Sequence, residues 1–524
     1  MVELRKEKKE TDNDRRRNIS VFDSWSDNED FAEDVNENID LGVKQILDLF
    51  KTINIFELNP KYVRLLRKMI PKQSEAKNQE NQSIVEELMS ADIIRQLLKC
   101  LANQNCSMSL LNEVVALMAH LCASDKKHTL VLVKYGIVNK LLALLSYDNL
   151  GVIEQSVLCL TYIWNSSPEM SQMLKTTPFL DRLVGLINSE TSVSPSKYVQ
   201  NDSRIGLVRA LSWALLIFCQ NHDPTAYSLS IQFIPYFVKL LKYDDTEVKK
   251  NVLKTLSVTT DRVVGISEEE SSPVRQTVES VVCEDSLLGS IIEYLSSKED
   301  EVVLNGILII GNIVSWGESL AQIVIQAKTL QRFEVLLTHQ NPKIQREVAF
   351  TVANITAGNS AQIQAVIDAN LIPAIVELLY MGDYRTQVEA SHVFLNISAV
   401  GSLNQINYML NLDNSITNMD VIDAMASLIT SLDASVINTC LQFYNNILIF
   451  AKKIKILSPI VKRCDTSSLT YHLDGLQSHN NSQISLLATR LVEEYFTGDL
   501  SFEEDITYDT SLMDEKQMET NISF

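Results

Sequence analysis

Three asparagines recur at a spacing of 42 residues and could together bind the backbone of a peptide. They are Asn312, Asn354 and Asn396, and each stands near the end of an apolar stretch with helical periodicity. An asparagine side chain offers one carbonyl acceptor and two N–H donors. It can therefore bind both the N–H and the C=O of an extended chain without contacting the side chains of that chain. Asn446 takes the next equivalent position.

The spacing of the asparagines predicts stacked helical repeats, because 42 residues is typical of repeats built from two or three helices. In such a solenoid the equivalent residues of successive repeats line up on one surface. One turn before each asparagine, on the same helix face, stand Leu308, Phe350 and His392. A tryptophan at this position could hold the stem of a lysine or arginine, and Trp213 is such a tryptophan.

Motifs that would indicate catalysis or metal binding do not occur in the sequence. The seven histidines are scattered, and the eight cysteines form no CxxC pair or Cys/His metal spacing. The chain has no glycine-rich phosphate loop and no nucleophile elbow. We therefore predict a protein that is not an enzyme, with no catalytic residues, no metal and no cofactor.

The composition indicates a folded helical chain, and its acidic charge suits either a basic partner or solubility alone. The 524 residues are 46% hydrophobic, contain only 15 glycines and 11 prolines, and carry a net charge of −20. This charge disfavours direct binding of nucleic acid, and no apolar run is long enough for a membrane helix. We interpret the eight cysteines as reduced thiols in the core of a cytosolic or nuclear protein.

One long stretch, REVAFTVANITAGNSAQIQAVIDANLIPAIVELL, resembles the central armadillo repeats of importin-α, and TQVEASHVFLNIS and LNGILIIGNIVSWGES resemble the flanking repeats. The resemblance implies an all-α, right-handed superhelical solenoid of about ten armadillo repeats over residues 41–497, with disordered N- and C-terminal tails. It implies a nuclear import adaptor that binds nuclear-localisation-signal cargo and shuttles between the cytoplasm and the nucleus.

The N-terminal residues 1–20, with VELRKEKK and RRRNIS, resemble the importin-β-binding segment of that family. By the same resemblance this basic arm can also occupy the cargo groove and compete with cargo. Residues 21–40, with eight acidic and no basic residues, are predicted to be a linker, and residues 498–524 an acidic, unstructured tail. The basic residues of the arm are Arg5, Lys6, Lys8, Lys9, Arg15, Arg16 and Arg17. Residues 474–496 resemble the last repeat, whose outer face contacts the export receptor in the family.

Candidate cargo-binding residues follow from matching the family pattern to this sequence. They are Glu154, Trp213, Asn312, Phe350, Asn354, Glu389, His392 and Asn396. The early repeats, which form the major groove in the family, depart from the pattern at Leu158, Tyr162, Ile217, Lys254 and Val258. An alternative function is therefore an armadillo-repeat scaffold for a non-classical partner. Asn188–Asp202 is predicted to be a loop, Gly136 a turn, and Trp164 a residue packed between repeats.

Overall fold

A computed structural model describes residues 43–52, 54–69, 85–103, 106–192, 203–220, 233–266, 285–412 and 420–496. These residues form helices and the turns between them, and none of them lies in a strand. The prediction of an all-α fold is therefore confirmed for this part of the chain. The predicted basic arm, its acidic linker and the acidic tail lie outside the described residues, as does Cys283.

The chain divides into two units, Met1–Arg332 and Phe333–Phe524. In the first unit a 3-10 turn spans Ile55–Glu57 and residues 85–88 and 233–240 are also helical. Its numbered helices are α1 (Val43–Thr52), α2 (Pro60–Met69), α3 (Ala91–Cys100), α4 (Met108–Ser124), α5 (Lys126–Lys134), α6 (Ile137–Leu144), α7 (Leu150–Ser166), α8 (Pro168–Lys175), α9 (Phe179–Ser192), α10 (Ser203–Gln220), α11 (Thr246–Ile266), α12 (Asp285–Tyr294), α13 (Asp300–Ser315) and α14 (Glu318–Gln326).

The boundary between the units falls within α15 (Leu330–Leu337). The second unit continues with longer helices, each followed by two shorter ones, and ends on a longer helix. These are α16 (Pro342–Thr356), α17 (Ser360–Asp368), α18 (Ile372–Met381), α19 (Tyr384–Val400), α20 (Leu403–Leu410), α21 (Val421–Leu428), α22 (Ala434–Lys453), α23 (Leu457–Thr466), α24 (Leu469–Leu476) and α25 (Ser482–Tyr495).

The longest helix of each repeat packs on its counterpart in the next repeat, and we call these the groove helices. In the first unit they are α2, α4, α7, α10, α11 and α13, each packed on the next. In the second unit they are α16, α19, α22 and α25, again packed in order. Apolar side chains between them are buried, as the helical periodicity predicts. The groove helices therefore hold the candidate residues in fixed register within each unit.

Local sequence sets where the helices begin. Asn149, Asn359 and Asp383 each accept a hydrogen bond from a backbone N–H in the first turn of the following helix. Ser402 and Gln405 form a reciprocal capping box at the start of α20. Gly136 adopts φ +79° between α5 and α6, where a side chain would be strained, so the predicted turn is confirmed.

The predicted loop Asn188–Asp202 is wrong in its first part, because α9 continues through Ser192. Two contacts explain the extension. The Tyr243 hydroxyl donates to the Glu190 carbonyl at 2.9 Å, and Thr191 Oγ1 donates to the Ile187 carbonyl within the same helix. The polar composition of this stretch therefore did not end the helix, since a residue 53 positions away supports its last turn.

Candidate peptide-binding groove

Asn312 lies on α13 and is tied to the preceding groove helix of the first unit. Its Nδ2 donates to the Ser257 carbonyl at 3.1 Å and to Thr260 Oγ1 at 3.0 Å. The side chain is only 3% exposed. Both amide hydrogens therefore have partners on α11, and these bonds fix α13 against that helix.

The same arrangement recurs in the second unit at Asn396 and Asn446. Asn396 Nδ2 donates to the Ala353 carbonyl of α16 at 2.8 Å and reaches Thr356 Oγ1 at 3.5 Å. Asn446 Nδ2 donates to Ser398 Oγ of α19 at 3.1 Å. Each hydroxyl partner follows the asparagine position of its own groove helix by two residues. The tie between successive groove helices is therefore a repeated feature of this chain.

The structure corrects the expected use of the asparagines. We predicted that each amide would bind both the N–H and the C=O of a peptide, yet the amide N–H groups of Asn312 and Asn396 already bind the preceding helix. A ligand N–H can still approach the carbonyl oxygen Oδ1, since this atom carries two acceptor lone pairs. The geometry therefore favours a one-sided contact from the ligand N–H to Oδ1.

The hydroxyl partners were missed at the level of sequence, although a signal for them exists. Asn354 and Asn396 stand in the triplets Asn-Ile-Thr and Asn-Ile-Ser, which end in Thr356 and Ser398. Thr260 occupies the same position in α11, two residues after Val258. A hydroxyl repeated two residues after the asparagine position could have indicated an inter-repeat hydrogen bond.

Phe350, Asn354, Glu389, His392 and Asn396 are brought together on the adjacent groove helices α16 and α19. Phe350 and His392 are half-buried, one turn before their asparagines. The ring Nδ1 of His392 lies 2.6 Å from the Val388 carbonyl. Since a carbonyl only accepts, Nδ1 carries the hydrogen in this contact, and a neutral ring would present Nε2 as an acceptor.

The predicted carboxylate Glu389 is buried, with 6% of its surface exposed. A second carboxylate, Glu347, stands at the same place on α16, seven residues before its asparagine, and was missed from the sequence. Glu347 Oε1 forms an ion pair with Arg346 Nη2 at 2.9 Å. The two carboxylates are therefore buried at equivalent places on α16 and α19.

Glu154, the predicted carboxylate of the first unit, lies on α7 against α10. A Cβ at Gly206 would stand 2.4 Å from Glu154 Oε2, so the backbone of α10 approaches the carboxyl group closely. Burial raises the pKa of Glu154 to about 7, and Arg209 and the Gln155 amide lower it only in part. Glu154 is therefore only partly ionised near neutral pH, which weakens its attraction for a basic ligand.

Trp213 of α10 packs against Tyr162 of the preceding groove helix. The ring centroids are 4.8 Å apart with an interplanar angle of 55°. Trp213 is 6% exposed, so it offers little surface to a ligand. Trp164, by contrast, packs edge-on to Phe218 at 4.4 Å, which confirms the prediction that it lies between repeats.

Lys254 occupies the corresponding position on α11, where its ammonium lies 4.0 Å from Glu301 Oε1. One turn earlier on the same helix, Lys250 pairs with Glu247 at 3.2 Å and with Glu299 at 3.7 Å. The cationic side chains of this groove helix are therefore held near carboxylates of the first unit. Lys254 would nevertheless oppose a lysine or arginine that entered the groove beside it.

Within the described ranges, no group of three or more histidine, cysteine, aspartate or glutamate side chains is arranged to hold a metal ion. Seven of the cysteines are buried free thiols, as predicted. No single described helix has the length and apolar character to cross a membrane. One bent pair, Ser360–Asp368 with Ile372–Met381, meets that criterion by length and composition alone.

Comparison with known proteins identifies the fold class of this chain. An Armadillo/beta-catenin-like repeat matches residues 359–399. A crystal structure of an engineered protein superposes with a TM-score of 0.65 at 19% identity, covering 87% of this chain and 99% of that one. The protein is thus an all-α armadillo-repeat protein, as the sequence predicted.

Curated importin-α proteins are among the sequences that this chain resembles. Importin subunit alpha-4 of Arabidopsis thaliana is 24% identical over 79% of this chain and 72% of its own length. Importin subunit alpha-1a of Oryza sativa subsp. japonica is 23% identical over 79% of this chain and 73% of its own length. Together with the armadillo match, these similarities support a divergent member of the importin-α family.

Proposed function

We propose that this protein is a transport adaptor that binds extended basic peptides along the groove helices α16, α19 and α22. The observation that carries the proposal is the repeated asparagine register of Asn354, Asn396 and Asn446 within the second unit. An array of side-chain amides at a regular interval suits a ligand with a repeating backbone. The curated importin-α relatives support a ligand of the nuclear-localisation-signal type.

The second unit provides the groups that such a ligand needs. The Oδ1 atoms of the asparagines accept hydrogen bonds from the peptide backbone, and the half-buried ring of Phe350 packs against a lysine or arginine stem. Glu389 places a carboxylate close beneath the surface, where a lower local dielectric strengthens its attraction for a cation, whereas Glu347 already pairs with Arg346. With Nδ1 directed at the Val388 carbonyl, a neutral His392 ring would offer Nε2 as an acceptor at the next position.

The proposal extends to partners that would bind the two ends of the chain. Residues 1–20 would bind importin-β through Arg5, Lys6, Lys8, Lys9, Arg15, Arg16 and Arg17, and in its absence would compete with cargo for the groove. The linker at 21–40 would allow both positions. The last repeat would contact an export receptor, and the protein would shuttle between the cytoplasm and the nucleus without catalysing a reaction.

A second candidate function is an interaction scaffold for a partner without a basic signal. One observation favours it: in the first unit Tyr162 covers Trp213 and Lys254 stands at the next equivalent position. A groove of this kind disfavours a row of lysines. The two functions differ in whether the second unit binds a basic peptide at all.

Calorimetric titration of the full chain with a lysine- and arginine-rich peptide tests the proposal. We expect Asn396→Ala to weaken binding by about 1–3 kcal/mol, because the peptide N–H is left without its acceptor. Asn404→Ala, at an exposed position of α20, is the matched control and should bind as the unaltered chain does. Equal affinity of both variants, with circular dichroism unchanged, would contradict the proposed groove.

A further inference from the structure

Tyr162 fills a place on the groove surface of the first unit. It belongs to α7, and its ring lies 4.8 Å from the ring of Trp213 on α10, measured between centroids. The two rings are tilted by 55°, a geometry in which aromatic rings attract each other. Tyr162 therefore covers part of the ring surface that a ligand cation would need.

The neighbouring positions are closed as well. Leu158 lies one turn before Tyr162, and Ile217 lies one turn after Trp213, and each is only 6% exposed. The helices α7 and α10 pack directly on each other along this region. Four apolar or aromatic side chains thus occupy the positions where paired tryptophans and asparagines would be expected, and they stabilise one another by packing.

The environment of the Tyr162 hydroxyl agrees with this position. Burial, with smaller contributions from the nearby thiols of Cys159 and Cys122, raises the pKa of Tyr162 to about 12. A phenol that extended into the solvent of an open groove would not experience this desolvation. The ring is therefore held against the protein.

We infer that Tyr162 is a specificity-determining residue that blocks the ring face of Trp213 against lysine and arginine side chains. The inference rests on the proposed function of the second unit as the basic-peptide groove. It assigns selectivity to the first unit, because a lysine or arginine side chain cannot reach the ring of Trp213 there. Basic ligands are then directed to Phe350 and the asparagines of the second unit. Trp213 then contributes packing rather than direct binding.

The test measures the affinity of a short fluorescein-labelled oligolysine peptide by anisotropy. The full chain carries Asn396→Ala, so that the contribution of the second unit to binding is reduced. We expect Tyr162→Asn to raise affinity about fivefold, which corresponds to the ~1 kcal/mol of a cation–π contact. Tyr162→Phe keeps the ring and should leave affinity unchanged. Adding Trp213→Ala to Tyr162→Asn should remove the gain.

The inference is overturned if Tyr162→Asn binds no more tightly than Tyr162→Phe while both retain their helical circular dichroism. It is also overturned if Trp213→Ala alone weakens binding, since the ring would then already be accessible. Should Tyr162→Asn fail to fold, Tyr162→Ala removes the ring and leaves the face of Trp213 uncovered, and the same gain is expected.

Failure of this inference is distinguishable from failure of the proposed function. Asn396→Ala in the otherwise unaltered chain reports on the second unit alone. If Asn396→Ala weakens binding but Tyr162→Asn gives no gain, the adaptor proposal stands and the inference about Trp213 fails. If Tyr162→Asn gives the gain but Asn396→Ala does not weaken binding, the inference about Trp213 stands and the proposed peptide groove of the second unit fails.

Discussion

Glu154 shows how packing changes the chemistry of a single residue. The sequence suggests a surface carboxylate that attracts cations, but the close backbone of Gly206 and the loss of solvent raise its pKa from 4.5 to about 7. Arg209 does not restore the usual value, because its guanidinium is engaged with Asp245, with Nη2 and Oδ2 2.7 Å apart. The charge of Glu154 therefore depends on pH near neutrality.

The raised pKa predicts a loss of stability with rising pH. The folded chain holds the Glu154 proton more tightly than the unfolded chain, so this contribution is present near pH 4.5 and is lost as pH rises through about 7. We compare the free energy of unfolding of Glu154→Gln with that of the unaltered chain. We expect this difference to grow in favour of Glu154→Gln by about 1–3 kcal/mol from about pH 5 to about pH 8. Urea unfolding at both pH values measures it.

The control for this prediction is Glu86→Gln, since Glu86 is an exposed carboxylate of the same unit. It should change the free energy of unfolding by the same small amount at both pH values. A pH-independent difference between Glu154→Gln and the unaltered chain would contradict the raised pKa.

The asparagines also show, at the residue scale, which features were visible in the sequence and which depend on packing. Their types and 42-residue spacing were visible in the sequence, and so was their position on the groove helices. The direction of their amide groups was not, because the partners Ser257 and Ala353 lie more than forty residues earlier. Hydrogen bonding across that separation depends on how the repeats stack.

At the scale of elements, the inter-repeat ties hold the groove helices in register. Thr260 Oγ1 donates to the Leu256 carbonyl within α11 and also accepts from Asn312 of α13. Thr255, on the same helix and equally buried, donates only within α11, to the Asn251 carbonyl at 2.6 Å. The two threonines therefore differ in whether they connect two elements.

We expect Thr260→Val to destabilise the packing of α13 on α11 by about 1 kcal/mol more than Thr255→Val. The first substitution leaves an amide N–H of Asn312 without its acceptor in a buried place, whereas the second removes a bond within one helix. Hydrogen–deuterium exchange of the peptides that cover both helices measures the difference. Equal protection in the two variants would show that the tie adds nothing to stability.

Helix boundaries show where local sequence is sufficient and where it is not. Gly136 and the capping residues of α7, α17 and α19 act on backbone groups a few residues away, and the turn at Gly136 was predicted from the sequence. The end of α9 depends on Tyr243, so a composition rich in serine and threonine was misleading there. Elements end where the whole fold satisfies their last carbonyls.

At the scale of the whole molecule, the proposed adaptor requires a carrier. We expect a pulldown with importin-β to retain the full chain and to lose a variant in which Arg15, Arg16 and Arg17 are alanine, because these charges form the second basic cluster of the arm. Each removed cation reduces the electrostatic attraction to an acidic partner surface.

The matched control replaces three exposed lysines of α5, Lys126, Lys127 and Lys134, with alanine. This variant changes the net charge by the same amount and should still be retained. If the unaltered chain is not retained at all, the scaffold function gains support and the importin-β proposal fails. If both variants are lost, net charge rather than the arm determines binding.

The sequence by itself determined the class of fold, and the residue spacing placed the asparagines at equivalent positions of long helices. These follow from periodicity, which acts within a helix or between neighbouring helices and is written directly in residue spacing. The tertiary structure decided which of those residues are accessible and what charge they carry. It turned the amides of Asn312 and Asn396 toward the preceding helix, covered Trp213 with Tyr162, and raised the pKa of Glu154. Each of these depends on contacts and desolvation between repeats, which residue spacing does not encode.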